Sequence, residues 1–427
     1  MIIIYNILLH LSLFILLPVI FIWVLASEKR RKTVRYRLGP SKNTGPFATQ
    51  PVWFHALSVG EVLSAIPLIK KTSATYPELP IFLTVTTRTG HETALHSLDK
   101  HTVCIDYFPF DHPLLINRMV RRIDPALVVI LESDLWPNFL HCMKKNQLPV
   151  ILVNARLSKK SWRGYRRFGF FFRPMFRSFD QICTQSEIDR QRFETLGLDR
   201  QNLTLTGSLK FDRSRSVLPE DEIHTLRKAL RINPNQKILV AGSTHPGEET
   251  ILLQSFAHLR HRISHLRLIL VPRDPQRAGD IRKMARDAGF SEISFTDCQL
   301  KASEEPVDVV VVDTIGVLEH LYAFCDLAFV GGSLITHGGQ NPLEPASHGK
   351  PILFGPHMTN FPDIAEKLVT AGGARYVNPE NFVETASAIL SETVDAKAIG
   401  ERAQQVFYAN QGACDKTVAI MAPYLNR

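Results

Sequence analysis

The sequence lacks the signatures of several common chemistries. Its six cysteines are scattered with no CxxC pair, and most lie in apolar patterns. We therefore expect buried reduced thiols in a cytoplasmic protein rather than disulfides or a zinc site. HExxH, GxSxG, a Walker A loop and a clustered His/Cys ligand set are also absent, as are low-complexity tracts and solenoid repeats. These absences remove the sequence signals for a zinc protease, an α/β-hydrolase and a P-loop NTPase.

Length, composition and charge set broad bounds. The 427 residues are enough for two ordinary domains plus additional segments, and 45% hydrophobic with 21% charged residues is typical of a globular protein. The formal net charge of +9 favours an anionic partner. Charge alone does not choose among nucleic acid, phospholipid and a phosphorylated substrate.

The first 27 residues are a long apolar run, MIIIYNILLHLSLFILLPVIFIWVLAS. As a helix this run is long enough to cross a hydrocarbon core of about 30 Å. No basic residue precedes it, unlike in a secretory signal peptide, and a basic cluster follows at 29–37. The run therefore predicts a membrane anchor with the rest of the protein on the cytoplasmic face; a helix lying in the interface is the alternative.

From residue 51 onwards short apolar strands alternate with amphipathic helices, which predicts parallel, doubly wound α/β sheets. The alternating apolar pattern is interrupted in KFDRSRSVLPEDE at 210–222, which predicts a linker. Two Rossmann-like halves with a cleft between them are therefore expected, with ligands beyond the strand carboxyl ends. The predicted segments are an anchor, a first domain, a second domain and closing helices, at 1–27, 28–212, 213–394 and 395–427.

The run GGQNPLEPASHGKPILFGP at 338–356 places a carboxylate among glycines and prolines. Its spacing predicts Asn341 as a helix N-cap, Pro342 as the first helical residue and Glu344 in the first turn. Such a turn after a strand is either a structural connection or a nucleotide site, because free N–H groups attract a phosphate and a carboxylate accepts bonds from ribose hydroxyls.

Polar residues at other strand ends extend this list. Glu61 in HALSVGEV is either a helix-start acid or a general base, and Glu132 with Asp134 follows the strand of LESDLWPNF. Lys210 in GSLKFD is either solvated or directed at a ligand. Further strand-end candidates are Arg273 in LVPRDPQR, Ser243 and Thr244 in AGSTHPGEE, and Gly316 in DTIGVLEHLY.

Residues 156–179, RLSKKSWRGYRRFGFFFRPMFRSF, interleave basic and aromatic side chains. No nucleic-acid-binding module surrounds them, so no nucleic-acid partner is expected. A surface that contacts anionic lipid and a partly buried helix with extended arginines are the two interpretations left.

The ordered series SVGE, TTRTG, ESDLWPN, NARLS, GSLKFD, STHPGEE, VPRDPQR, FVGGSL and GGQNPLEPA, after an N-terminal anchor, resembles the Kdo transferases of lipopolysaccharide biosynthesis. These inner-membrane glycosyltransferases move 3-deoxy-D-manno-octulosonic acid (Kdo) from CMP-Kdo to the lipid A precursor. The resemblance covers nearly the whole chain. It implies a GT-B fold, an N-terminal acceptor domain, a C-terminal donor domain and an inverting transfer with no metal or other cofactor.

On this resemblance Glu61 matches the family's general base, and Glu132 and Lys210 match residues that stabilise the transition state. The segments that match the CMP contacts are Pro272-Arg273, Gly316-Val317-Leu318 and Asn341-Pro342-Leu343-Glu344.

The chain departs from the family's usual residues at four positions, namely Asp134, Asp274, Val317 and Gln340. Two other functions stay open at this point. One is a GT-B transferase that uses another nucleotide sugar, and the other is a membrane-tethered scaffold without activity.

Overall fold

The computed structural model describes residues 2–39, 47–99, 102–132, 134–212, 219–233, 235–300, 307–391 and 395–426, without the side chains of residues 20, 29, 30 and 32. It divides the chain into two compact units, Met1–Arg213 with Asn410–Arg427, and Ser214–Ala409. The sequence placed a boundary after residue 212 and a linker at 210–222, of which 213–218 lie outside the described residues.

The centre of the first unit is a seven-stranded parallel sheet. Its strands are β1 (Val52–Ala56), β2 (Ile81–Val85), β3 (Val103–Tyr107), β4 (Leu127–Leu131), β5 (Val150–Ala155), β6 (Gln181–Thr184) and β7 (Leu203–Leu205). They lie in the order β3-β2-β1-β4-β5-β6-β7. β1 and β4 are buried along their whole length because apolar clusters cover both faces of the sheet, which explains why their residues are apolar except for His55 in β1.

The first unit begins with two helices ahead of the sheet and continues with helices between the strands. They are α1 (Ile2–Leu25), α2 (Glu28–Tyr36), α3 (Val59–Thr75), α4 (Arg88–Ser97), α5 (Pro113–Ile123), α6 (Pro137–Lys145), α7 (Lys159–Arg167), α8 (Gly169–Phe176) and α9 (Glu187–Thr195). Two 3₁₀ turns, Arg200–Asn202 and Leu209–Asp212, flank β7.

The second unit is also built on a seven-stranded parallel sheet. Its strands are β8 (Lys237–Thr244), β9 (Leu266–Pro272), β10 (Glu292–Ser294), β11 (Val309–Val311), β12 (Leu327–Val330), β13 (Ile352–Phe354) and β14 (Ala374–Tyr376), in the order β10-β11-β9-β8-β12-β13-β14. Its helices are α10 (Glu220–Ala229), α11 (Glu248–Arg262), α12 (Ala278–Asp287), α13 (Phe295–Leu300), α14 (Leu318–Phe324), α15 (Leu343–Ser347), α16 (Pro362–Thr370), α17 (Phe382–Leu390) and α18 (Ala396–Ala409), with a 3₁₀ turn at Pro275–Arg277.

The last helix, α19 (Ala413–Leu425), belongs to the first unit, where it packs against α3 and the turn Leu209–Asp212. Asp212 fixes its start, since one carboxylate oxygen accepts from the Gly412 N–H at 2.7 Å and the other from the Cys414 N–H at 2.5 Å. The closing segment expected from residue 395 therefore places α18 in the second unit and α19 in the first.

The predicted α/β class with two doubly wound, Rossmann-like halves and an N-terminal apolar helix is confirmed. In each sheet the chain builds one side and then returns to the centre, so that the order reverses between β1 and β4 and between β8 and β12. Loops diverge at such a reversal, which makes the carboxyl ends of these strands the expected ligand sites.

Candidate active site

The reversal point of the first sheet holds two of the predicted residues. Glu61 lies in the first turn of α3, directly after β1, and Glu132 directly follows β4, which pairs with β1 in parallel. Parallel strands end at the same edge of a sheet, so the two acids come together although they are far apart in sequence. The predicted placement at strand ends is thus what the structure has.

Glu61 is part of the N-terminal cap of α3. The Ser58 hydroxyl accepts from the Glu61 N–H at 3.4 Å, while the Glu61 carboxyl oxygens accept from the Leu57 N–H at 2.6 Å and from the Ser58 hydroxyl at 3.3 Å. This reciprocal pattern is a variant of the capping box in which the acid accepts from the N–H of the residue before the N-cap. Glu61 is therefore a helix-start acid, as one of the two interpretations expected. A role as general base would come in addition to this capping role.

The surroundings of Glu61 change its acidity. The side chain is only 8% exposed. Burial, and then the negative charge of Asp134, raise the pKa of Glu61 to about 8. The charge of Glu132 also raises this pKa, while the hydrogen bond from the Leu57 N–H lowers it. A carboxyl group of this kind is a much stronger base than an exposed glutamate once it is ionised.

Asn154 connects Glu132 to the turn that contains Lys210. Glu132 and Asn154 both have left-handed backbone conformations, with φ of 60° and 53°. The Asn154 amide donates to Glu132 Oε1 at 3.4 Å, and its oxygen accepts from the Leu209 N–H at 3.1 Å. Sequence reasoning missed Asn154, although asparagine is among the few residues that adopt φ > 0 readily.

Lys210 lies in the 3₁₀ turn Leu209–Asp212, after β7 and a short loop. Burial lowers the pKa of Lys210, and the nearby charges of Glu132 and Glu61 oppose that effect. The structure therefore brings Glu61, Glu132 and Lys210 into one electrostatically coupled group, as the sequence motifs predicted for strand-end residues.

His55 in β1 and Asp134 after β4 form a second pair beside Glu61. His55 Nδ1 lies 3.1 Å from the Thr84 hydroxyl oxygen and 3.2 Å from the Thr84 carbonyl oxygen. The Thr84 hydroxyl itself donates to the Phe54 carbonyl at 3.4 Å. Both neighbours of Nδ1 are therefore acceptors, so Nδ1 carries the hydrogen and neutral His55 has its lone pair on Nε2.

That lone pair is directed at a carboxyl oxygen, because His55 Nε2 lies 3.6 Å from Asp134 Oδ2. Neither atom has a hydrogen-bond partner among the residues that the structure describes. Burial lowers the pKa of His55 to about 3, while burial and then Glu132 raise the pKa of Asp134 to about 7. The contact is therefore not an ion pair at neutral pH, and a proton on Asp134 relieves the repulsion between the two lone pairs.

The reversal point of the second sheet is organised by a buried acid, Glu248, at the start of α11. Its Oε1 accepts from the N–H groups of Ser333 and Leu334, both at 2.9 Å, and its Oε2 from those of Gly332 at 2.6 Å and His245 at 3.0 Å. The side chain is 0% exposed. The loop after β12 is thus fixed to the end of β8 by four backbone hydrogen bonds.

Glu248 also engages part of the segment STHPGEE, because its Oε2 accepts from the His245 N–H, which is therefore not open to a bound anion. Glu249 is engaged as well, through a two-pronged ion pair with Arg277 at 2.9 and 3.1 Å. Glu248 was missed because its partners lie 84 to 86 residues further along the chain.

Two glycines allow the close approach of chain segments at this edge. A Cβ on Gly331 would lie 2.5 Å from the Ser243 carbonyl oxygen, and one on Gly242 would lie 2.0 Å from the Tyr322 hydroxyl. Ser243 itself has φ of 55°. β8, β12 and α14 can therefore meet here only with glycine at both positions.

The residues expected to contact CMP all lie at this same edge of the second sheet. Pro272 ends β9, and Arg273 follows, with its N–H bonded to the Thr244 carbonyl at 3.0 Å and its side chain exposed. Arg273 also lies near His245, where burial, then His337, then Arg273 lower the pKa of the imidazole. The arginine is thus held beside the end of β8.

The turn before α14 has Gly316 with φ of 96° and Val317 at the N-cap. Leu318 packs against Gly242, where an added Cβ would lie 2.7 Å from its Cδ1. The neighbouring Ile315 is 87% exposed. Val317 supplies no polar side chain, so backbone N–H groups are what this turn offers to a ligand.

The predicted cap of the next helix was wrong by one residue. α15 begins at Leu343 with Pro342 at the N-cap, rather than with Asn341 at the cap and Pro342 inside the helix. The Asn341 side-chain oxygen still accepts from the Leu343 N–H at 3.2 Å, which is the bond expected of a capping residue. Glu344 still lies in the first turn, half-buried, and accepts from the Asn341 amide at 3.4 Å.

Besides Asp134, which lies against His55, two more of the positions that depart from the family pattern have visible contacts. Gln340 Nε2 lies 3.0 Å from His245 Nε2, so its amide replaces an imidazole within a group that includes His337. Asp274 caps the turn Pro275–Arg277 by accepting from the Gln276 N–H at 3.1 Å. Neither contact involves Arg273 or Glu344.

The basic-aromatic segment 156–179 has an inner and an outer face. The Tyr165 ring lies against those of Phe172 and Phe176, with centroids 4.5 and 5.3 Å away, and Phe176 is fully buried. Phe168 and Phe170 are 50% and 80% exposed. Both interpretations of this segment thus have a structural counterpart, a packed inner helix face and an exposed aromatic face with arginines.

Among the described residues, no group of three or more His, Cys, Asp and Glu side chains is placed to hold a metal ion.

Residues 30–213 match the family model described as 3-Deoxy-D-manno-octulosonic-acid transferase (kdotransferase). The chain is 32% identical over 403 residues to the 3-deoxy-D-manno-octulosonic acid transferase of Haemophilus influenzae, which covers 94% of this chain and 93% of that protein. It is 30% identical over 398 residues to the protein of the same name from Chlamydophila psittaci, with 93% and 90% covered. The UDP-GlcNAc 2-epimerase of Neisseria meningitidis, solved with UDP-GlcNAc, has a TM-score of 0.61 at 14% identity, covering 88% of this chain and 100% of that one. This last likeness supports the fold alone.

Proposed function

This chain belongs to the family of 3-deoxy-D-manno-octulosonic acid transferases, and from that premise we propose how its residues transfer Kdo from CMP-Kdo to the lipid A precursor. The protein is a glycosyltransferase of lipopolysaccharide biosynthesis. The observation that carries the residue-level account is Glu61, a buried acid of raised pKa at the reversal point of the first sheet.

Glu61 acts as the general base. It takes the proton of a lipid A precursor hydroxyl while that oxygen forms a bond to the Kdo anomeric carbon. The bond from this carbon to the CMP phosphate oxygen breaks on the opposite side, so the configuration inverts. Glu132 and Lys210 stabilise the charges of the oxocarbenium-like transition state, and Asn154 holds Glu132 in place.

The second unit holds the donor. Arg273 binds the phosphate of CMP, and Glu344 accepts hydrogen bonds from the ribose hydroxyls. The segments Pro272-Arg273, Gly316 to Leu318 and Asn341 to Glu344 contribute the remaining contacts. CMP carries a single phosphate, which one guanidinium and several N–H groups can neutralise, so the transfer proceeds without a metal ion.

Incubation of the purified protein with CMP-Kdo and the lipid A precursor, followed by mass spectrometry of the lipid, tests this function. We expect a mass increase of one or more Kdo residues, unchanged by EDTA. Loss of product in EDTA that Mg²⁺ restores would overturn the metal-independent part alone. A product only with another nucleotide sugar would overturn the donor assignment.

Attachment to the cytoplasmic face of the bacterial inner membrane is part of the same proposal. α1 is long and apolar enough to enter a membrane, with a mean hydropathy of 2.3 over Ile2–Val19. The exposed aromatic and basic residues of 156–179 add a second contact to anionic lipid. This arrangement keeps the enzyme at the surface where its lipid acceptor resides.

The pH dependence of turnover reports on Glu61. The base works only when ionised, and its pKa is raised to about 8, so turnover should rise from pH 6 through a midpoint near pH 8 and level off above about pH 9. Asp134→Asn removes a charge that raises this pKa, so the rising limb should move to lower pH. Steady-state turnover between pH 5.5 and 9.5 measures both curves.

Asp124→Asn is the matched control, because Asp124 is exposed at the end of α5 and should leave the curve unchanged. A limb that stays in place in Asp134→Asn, or a wild-type rate that is flat between pH 6 and 8, would contradict the assignment of Glu61.

The donor contacts are testable by calorimetry with CMP. Arg273→Ala and Glu344→Ala should each weaken CMP binding by about 1–3 kcal/mol, the usual effect of losing a charge-assisted hydrogen bond. Arg375→Ala, on the edge strand β14, serves as the control and should bind CMP like the wild type. Unchanged affinity in both Arg273→Ala and Glu344→Ala would reduce the segment 338–356 to a structural turn.

A further inference from the structure

The N-terminal helix α1 is apolar with a short polar stripe near its start. Its polar side chains are Tyr5, Asn6, His10 and Ser12. The half-buried residues Ile2, Tyr5, Asn6 and Leu9 follow helical spacing, so they share one face. From residue 11 to residue 23 every described side chain is exposed, including Phe14 at 81% and Ile22 at 70%.

The polar stripe is docked on the folded body of the first unit. The Tyr5 hydroxyl donates to Asp111 Oδ2 at 3.1 Å, and the Asn138 amide donates to Asn6 Oδ1 at 2.8 Å. Asp111 is itself buried and accepts from the backbone at the start of α6. The Tyr5 ring also lies 6.5 Å from that of Phe171 in α8. The first turns of α1 therefore belong to the body.

The chain returns to the same part of the body after α2. Tyr36 stacks on Tyr107 with ring centroids 5.4 Å apart. Arg37 donates through Nε to the Phe108 carbonyl at 3.0 Å, and its own carbonyl accepts from the Phe110 N–H at 3.1 Å. Tyr5 and Arg37 are thus attached within residues 107–111, at either end of the helical pair.

These two attachments decide how α1 meets a bilayer. A helix that crosses the membrane carries its ends to opposite sides, about 30 Å apart. The chain would have to recross through α2, but its nine residues span only about 14 Å and five of them are Lys or Arg. A segment that short and that charged does not cross a hydrocarbon core. Both ends of α1 are therefore on the side of the body.

We propose that α1 is a monotopic insertion that enters one leaflet and does not span the membrane. Residues 11–25 lie among the acyl chains of the cytoplasmic leaflet, and α2, a helix with five Lys and Arg residues in its sequence, lies at its surface among anionic phospholipid headgroups. The apolar circumference of residues 11–23 fits this position, because lipid surrounds them on every side that the body leaves open. The inference rests on the membrane attachment proposed above and adds its topology.

Engineered cysteine pairs test the docking in native membranes. Asn6→Cys with Asn138→Cys should be joined by a short bismaleimide cross-linker, which spans the gap that the shorter cysteine side chains leave, and mass spectrometry detects the linked peptides. In a spanning helix, residue 6 would lie about 28 Å beyond residue 25 and out of reach of the body. The control pair Phe14→Cys with Asn138→Cys should give at least about tenfold less linked peptide, since Phe14 faces away from the body.

Tyr5→Cys with Phe171→Cys is a second pair that leaves Asn138 intact, in case that substitution disturbs the start of α6. Linked peptide from either pair, in protein that stays in the membrane fraction after a high-salt wash, supports the monotopic insertion. If the protein stays in the membrane fraction but neither pair gives a linked peptide, the monotopic insertion is wrong while the membrane attachment still holds. Protein released entirely by salt would overturn the attachment itself, and the insertion with it.

Discussion

Glu61→Gln is expected to lower turnover by at least about 10²–10⁴-fold while CMP affinity stays close to that of the wild type. Glutamine keeps the size of the side chain and an oxygen for the Leu57 N–H, but it cannot take a proton. The expected CMP-binding residues, from Pro272 to Glu344, belong to the other compact unit, which is why donor binding should be unaffected. Single-turnover kinetics with CMP-Kdo and CMP calorimetry separate the two effects.

The first unit offers a matched control for the capping role. Asp189 in α9 repeats the pattern of Glu61, because its carboxyl oxygens accept from the Ser186 hydroxyl at 2.5 Å and from the Leu157 N–H at 2.9 Å. Asp189→Asn should therefore lower stability with little change in turnover. Comparable turnover in both variants would reduce Glu61 to a helix cap.

The pH dependence of thermal unfolding gives a separate test of the raised pKa of Glu61. The fold raises the pKa of Glu61 from 4.5 to about 8, so the folded state favours the protonated form. This stabilisation is complete below pH 4.5 and disappears as the pH rises through about 8. The wild type should therefore lose Tm between pH 6 and 9 more steeply than Glu61→Gln. A steeper loss in the variant would contradict the raised pKa.

Glu248→Ala should lower the unfolding free energy by about 3–5 kcal/mol. It leaves four backbone N–H groups without their acceptor, and a buried unpaired donor costs about 1–3 kcal/mol where water cannot replace the partner. The loop Gly332–Leu334 would then separate from the end of β8. Urea unfolding of the full chain measures the loss.

Glu384→Ala is the control for Glu248→Ala, because Glu384 also lies in the first turn of a helix of this unit but is exposed. Its expected cost is below about 0.5 kcal/mol. If the two variants unfold at the same urea concentration, Glu248 does not organise the loop.

The sequence predicted those site residues that directly follow a strand along the chain. Glu61, Glu132 and Arg273 each follow an apolar run, and the end of such a run in a parallel sheet is the ligand edge. The alternation of strands and helices was also predictable from the sequence, because buried parallel strands are mostly apolar. The reversal in strand order was not predictable, since it depends on which strands pair.

The remainder of the site depends on contacts between distant segments. In the sequence Glu248 resembles any acid at the start of a helix. Only the structure shows that its carboxylate accepts from the N–H groups of Gly332 to Leu334. His55 lies inside a strand pattern that gives no reason to expect its Nε2 opposite Asp134. The docking of Tyr5 and Asn6 was likewise hidden, because two polar residues in an apolar helix do not reveal their partners.

The return of α19 to the first unit has a consequence for the order in which the protein is completed on the ribosome. α19 covers α3, and its start is capped by Asp212, two residues from Lys210, yet α19 is translated after the whole second unit. The second unit ends at α18, so its whole sequence is made before the first unit receives its final helix. A nascent chain therefore exposes the apolar surface beneath α19 until α19 itself has been made, and a ribosome that stops within the second unit leaves the unit with Glu61 unfinished.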